Sequence, residues 1–172
     1  MGELLKFRKS RRKVVDRGVE AEVVPIRRLS ASLTADQLYE RGYLLEEAGE
    51  IEGEGGAIDA YTSALALEPM HADASVNLGR ILHNAGKLEA ALSYYITAIA
   101  VRPGDALAVF NYGVALEDLG RTDDARAFYQ RAVDLNPEEA DAHYNLGRLL
   151  QRQGNEEAAA RHMMAWRKLS PG

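Results

Sequence analysis

The chain is 172 residues long and 47% hydrophobic, enough for one ordinary domain with a sizeable core, which excludes wholesale disorder. It has no cysteine, so a disulfide framework, a zinc–thiolate site and a cysteine nucleophile are excluded together. Its net charge of -5 conceals a split: nine Lys and Arg against four acids give +5 over residues 1–33, and twelve against twenty-two give -10 over the rest.

No apolar run approaches the ~20 residues that cross a bilayer, and the charged N-terminus carries no apolar signal core. The expectation is a soluble, unexported, cytoplasmic protein with no membrane partner. The first element in chain order is the basic arm, residues 1–33. Lys6, Arg8, Lys9, Arg11, Arg12 and Lys13 form the run KFRKSRRK, which suits nucleic acid, acidic lipid or an acidic protein surface, or else a solvated flexible tail. Behind it VEAEVVP alternates like a short strand, and DRG before it is able to turn a small hairpin.

From residue 34 onward the chain is periodic. Pro69, Pro103, Pro137 and Pro171 follow one another at a spacing of 34 residues, and a fixed period of this size marks stacked supersecondary units. Residues 72–105, 106–139 and 140–172 share Ala72/Ala106/Ala140, Ala74/Ala108/Ala142, Asn77/Asn111/Asn145, Gly79/Gly113/Gly147, Leu82/Leu116/Leu150, Gly86/Gly120/Gly154 and Ala91/Ala125/Ala159. Each copy predicts a helix of about 13 residues, a turn at the second glycine, a second helix of similar length and a stop before proline. A glycine inside a helix costs roughly 1 kcal/mol against alanine, so Gly79, Gly113 and Gly147 must serve close packing. The expectation is that they face Ala91, Ala125 and Ala159 on the second helix. Gly86, Gly120 and Gly154 supply the turn, where a positive φ is needed.

This pattern resembles the tetratricopeptide repeat, whose motif also has an aromatic residue and a small residue on the second helix; Tyr61, Tyr95 and Tyr129, and Ala64, Ala98 and Ala132, stand at those places. The resemblance implies an all-α fold, an α-α superhelix of about four helix-turn-helix repeats. A looser first copy covers residues 35–71, so that the repeat domain spans 34–172. Its Gly42, Gly49, Ala57, Tyr61, Ala64 and Pro69 align only if three residues are inserted within GEIEGEGG, which predicts a longer turn. Thr34 and Gln37 form a capping-box signature at its start. At the other end, the column Leu65, Ile99 and Val133 continues as Arg167, a residue that tolerates water, so the stack is expected to finish near residue 172 with Met163, Met164 and Trp166 filling its last layer.

In this family the first helices line the inner, concave surface of the solenoid. The resemblance therefore places Tyr39, Tyr43, Asn77, Arg80, Phe110, Asn111, Tyr144, Asn145 and Arg148 where a peptide would lie. Asn77, Asn111 and Asn145 resemble the asparagine ladder of O-linked N-acetylglucosamine transferases, which grips an extended backbone; the other reading is that they help pack neighbouring repeats. The lysine-rich clamp with which some members hold chaperone C-termini is missing, because Tyr39, Tyr43, Leu107 and Asn111 stand in its places. Eight carboxylates on this face (Asp36, Glu40, Glu46, Glu47, Asp73, Glu117, Asp118, Asp141) oppose Arg80, Arg148 and Arg152, which favours a cationic or mixed ligand.

No catalytic apparatus is visible. His71, His83, His143 and His162 fall in different parts of the repeat and share no metal-ligand spacing, and GEGGAID has neither dinucleotide-loop nor phosphate-loop spacing. The expected function is a non-enzymatic protein-interaction scaffold without cofactor or metal, holding an extended peptide of a protein partner. The alternatives are a regulatory protein that touches nucleic acid through the basic arm, and a self-assembling homo-oligomer.

Overall fold

The structure is a computed structural model and describes residues 33–170. Residues 1–32, which hold all of the basic arm but Leu33 and the hairpin expected there, lie outside the described residues, as does Pro171. Among the described residues there are eight α-helices and no strand: α1 (Ala35–Glu47), α2 (Ala57–Leu67), α3 (Ala72–Asn84), α4 (Leu88–Val101), α5 (Ala106–Asp118), α6 (Thr122–Leu135), α7 (Ala140–Arg152) and α8 (Glu156–Leu169).

Local chemistry sets the helix ends. Thr34 and Gln37 close a reciprocal capping box, the Gln37 N–H donating to Thr34 Oγ1 (3.3 Å) and the Thr34 N–H to Gln37 Oε1 (2.9 Å). Asp105 caps α5 by accepting from the Leu107 and Ala108 N–H groups, and Asn155 caps α8 by accepting from Ala158. At the turn between α3 and α4, Gly86 has φ +74°, its N–H donates to His83 O and the Lys87 N–H donates to Leu82 O. These two bonds satisfy carbonyls that the helix end would leave open, and only a residue at ease with positive φ allows them. The same pair of bonds recurs at the other three intra-repeat turns.

In the first repeat the turn is longer, as the three-residue insertion predicts. The linker runs over residues 48–56, and α2 has 11 residues where α4, α6 and α8 have 14, so the insertion also displaces the first turn of the second helix.

Each first helix packs against the second helix of its own repeat, and each second helix against the first helix of the next. The internal glycines sit at the tightest of these contacts, but not opposite alanine as expected. A Cβ on Gly42 would lie 2.6 Å from a Tyr61 ring carbon, on Gly79 2.8 Å from Tyr95, and on Gly113 3.0 Å from Tyr129. The missing side chain makes room for a tyrosine ring, and Tyr61, Tyr95 and Tyr129 are in consequence almost wholly buried. Ala91, Ala125 and Ala159 are also buried, as filler around those rings. In the last repeat the tyrosine column holds Met163, and a Cβ on Gly147 would meet His162 Cβ and the Met163 side chain at 3.3 Å.

Both outer faces are less apolar than the internal seams. Where inner repeats bury Ile99 and Val133, α8 exposes Arg167, and Ala159 is its one buried residue. Met164 stands 62% exposed, while Met163 and Trp166 are half-buried. The expected last layer is therefore only partly filled, because no further described helix covers α8. At the opposite end Gln37, Arg41 and Leu44 occupy the columns that hold the buried Ala74, Leu78 and Ile81 in α3; Gln37 and Leu44 are exposed and Arg41 half-buried.

Candidate functional site

The candidate site is the layer formed by α1, α3, α5 and α7, because polar contacts join these first helices directly across repeats. Arg80 on α3 pairs with Glu46 on α1, both nearly buried. His83 on α3 places Nε2 2.6 Å from Asp118 Oδ2 on α5. Arg148 on α7 sets Nη2 at 2.8 Å from both oxygens of Glu117 on α5, with Arg152 Nη1 at 3.5 Å. The first and third ties are one device used twice. Glu46 and Glu117 hold the same place in their repeats, and each accepts a hydrogen bond of 3.0 Å from the tyrosine of its own repeat, Tyr61 or Tyr129. In the second repeat that place belongs to His83, and the buried Tyr95 hydroxyl makes no hydrogen bond among the described residues.

Burial pushes the phenols of Tyr61, Tyr95 and Tyr129 far above their ordinary value, with Glu117 adding to the effect at Tyr129. All three stay protonated, and Tyr61 and Tyr129 remain donors to their glutamates. Burial also lowers the Arg80 guanidinium from its ordinary value. The phenol of Tyr43, on the exposed side of α1, is raised by desolvation and then by Glu47 and Glu40.

The residues predicted to line the site divide by depth. Asn77, Asn111, Asn145, Phe110 and Tyr39 are buried. Tyr43, Tyr144, Arg80 and Arg148 are half-buried, with the Arg148 side chain 34% and the Arg152 side chain 60% exposed. Asn77 donates through Nδ2 to the Tyr61 hydroxyl (3.1 Å), and thus joins the second repeat to the first. Asn145 is 1% exposed and neither amide atom has a partner among the described residues. Truncating Asn77 removes a donor from a buried hydroxyl, so Asn77→Ala is expected to lower stability by about 1–2 kcal/mol, read as a lower denaturant midpoint at unchanged slope.

The rings pair along the layer. Tyr39 lies 5.9 Å from Tyr61, Phe110 5.8 Å from Tyr129, and Tyr144 4.9 Å from Trp166. Sequence reasoning placed Glu46, Glu117 and Asp118 on this face but missed that they tie the repeats together, with His83 as the partner of Asp118. The available signal was the alternation Arg80, Val114, Arg148 against Glu46, His83, Glu117. Among the described residues no three His, Asp or Glu side chains gather as a metal would need, and no helix is long and apolar enough to cross a membrane.

With eight helices stacked as pairs and small residues at every close contact, the decisive comparison is with repeat families. The tetratricopeptide repeat model matches residues 39–95, 84–140 and 118–172. The chain belongs to the tetratricopeptide-repeat family. Members of that family are protein-interaction scaffolds and are generally non-catalytic. Among solved structures, MamA 41-end from Desulfovibrio magneticus RS-1 is 29% identical with a TM-score of 0.68, the match covering 78% of this chain and 75% of that one. A MamA RS-1 ArsTM double mutant is also 29% identical, at a TM-score of 0.70 over 78% of this chain and 74% of that one. A crystal structure of MamA at 20% identity, with a TM-score of 0.73 over 83% and 82%, shows the fold alone. No curated protein matches the chain.

Proposed function

We propose that the array holds an extended segment of a partner protein across its first-helix layer. The observation that supports this reading is that the layer is already tied from repeat to repeat by Glu46–Arg80, His83–Asp118 and Glu117–Arg148, so binding would not have to order it. Above the ties, Tyr43, Tyr144, Arg148 and Arg152 keep accessible surface for rings and charges of a ligand. The buried asparagines act from beneath, holding repeat register, and the direct contacts fall to those four side chains. The surplus of carboxylates favours a cationic or mixed segment.

A random-peptide library displayed and panned on the array is expected to enrich basic sequences that carry aromatic residues. Tyr43→Ala combined with Tyr144→Ala should weaken the selected peptides about tenfold or more at unchanged helical content, since half-exposed aromatic anchors carry most of such an interface. Equal capture by the double variant counts against the reading. Of the alternatives, nucleic-acid contact rests on the charge of the basic arm, residues 1–32 of which lie outside the described residues, and self-assembly rests on that charge and on the partly open last layer around Met164.

A further inference from the structure

The contact between α7 and α8 contains a histidine pair that the other repeats lack, Ser75 with Tyr94 and Val109 with Phe128 standing at the same places. His143 Nε2 lies 3.1 Å from the Pro137 carbonyl oxygen, and His143 Nδ1 lies 3.0 Å from His162 Nδ1. A carbonyl only accepts, so Nε2 of His143 carries the hydrogen, and its Nδ1 in the neutral ring is an acceptor. His162 Nδ1 must then be the donor. Both hydrogen bonds are made only in this arrangement of tautomers, with His143 nearly buried and His162 half-buried. One added proton on the far side of His162 places a cation against a buried ring. A second, on His143 Nδ1, points two N–H groups at each other and leaves no bond between the helices at that place.

We propose that the His143–His162 pair is an acid-sensitive latch, closed while His143 Nδ1 is free to accept from His162 Nδ1 and opened when both rings are protonated, which loosens α8 from α7. The same two helices hold Tyr144 against Trp166, so opening the latch also releases the aromatic pair at that end of the layer. His162 is held below the ordinary imidazole value by its burial, then by His143 on α7 and by Arg161 on its own helix, while Asp134 on α6 works the other way. The sign follows. The unfolded chain takes up this proton more readily than the folded one, so stability from the pair is full above the ordinary imidazole range and falls as pH drops through it toward the lowered value.

Trp166 is the chain's one tryptophan, so its fluorescence reports the α7–α8 contact directly and without any binding partner. Between about pH 7.5 and about pH 5 the wild type is expected to show a red shift of emission and a fall in melting temperature some 3 °C larger than that of His162→Asn, whose amide donates to neutral His143, turns its oxygen to a protonated one and takes up no proton itself. Equal shifts in wild type and variant would overturn the proposal. Should His162→Asn not fold, imidazole NMR of the wild type decides: His162 titrating below the ordinary imidazole range upholds the latch, and titration at or above it removes the latch.

Discussion

Gly42→Ala is expected to lower stability by about 2 kcal/mol, although alanine is the better helix former by roughly 1 kcal/mol. The new methyl would lie 2.6 Å from the Tyr61 ring, closer than carbon atoms approach one another, and that ring is fully buried with its hydroxyl held between Glu46 and Asn77. It has nowhere to retreat. Gly79→Ala, at 2.8 Å from the equally buried Tyr95, should lose a comparable amount. Gly147→Ala provides the contrast. Its nearest neighbours stand at 3.3 Å and include the terminal carbon of Met163, a flexible side chain on a half-buried helix face, so the substitution should be close to neutral. Chemical denaturation of the three variants checks the order, and a Gly147→Ala loss equal to that of Gly42→Ala would show that ring packing is not what the glycine serves.

The second large effect is expected at the tie between the first two repeats. Glu46 and Arg80 are 8% and 12% exposed, so Arg80→Met strands a carboxylate in a site that water hardly reaches. Tyr61 still donates to it, but a hydroxyl does not replace a guanidinium, and the loss should be about 3 kcal/mol. Removing both charges, with Glu46→Leu added, should recover much of that loss, because the expense lies in the unpaired ion rather than in the absence of the pair. A double-mutant cycle on denaturation midpoints measures this, and additive losses would mean the two side chains do not act together.

The repeat frame was legible because Pro69, Pro103 and Pro137 and the glycine columns keep a strict period, and a helix pair with small residues at fixed places has few other ways to fold. Which residue opposes Gly79 was not legible. Ala91 and Tyr95 lie one turn apart on the same face of α4, so spacing alone admits either, and the ring wins because it fills the larger volume. Depth was hidden for a related reason. Periodicity assigns Asn77 and Asn111 to the first-helix layer but does not say how much of Tyr43, Arg80 or the neighbouring repeat lies over them. The ties across repeats join residues about one period apart, Glu46 to Arg80 and Glu117 to Arg148, and they become visible only when differences between copies are weighed as heavily as the shared columns.

Arg167 at one extremity and Gln37 with Arg41 at the other have a consequence for how such molecules can be strung together. Were a second copy to continue the stack by the geometry that α6 and α7 use, guanidinium groups from both molecules would have to be shut into the same dry junction. A joint of that kind would therefore bury charged side chains at places where the inner repeats bury Val133 and Leu146, which sets it apart from the seams within the array.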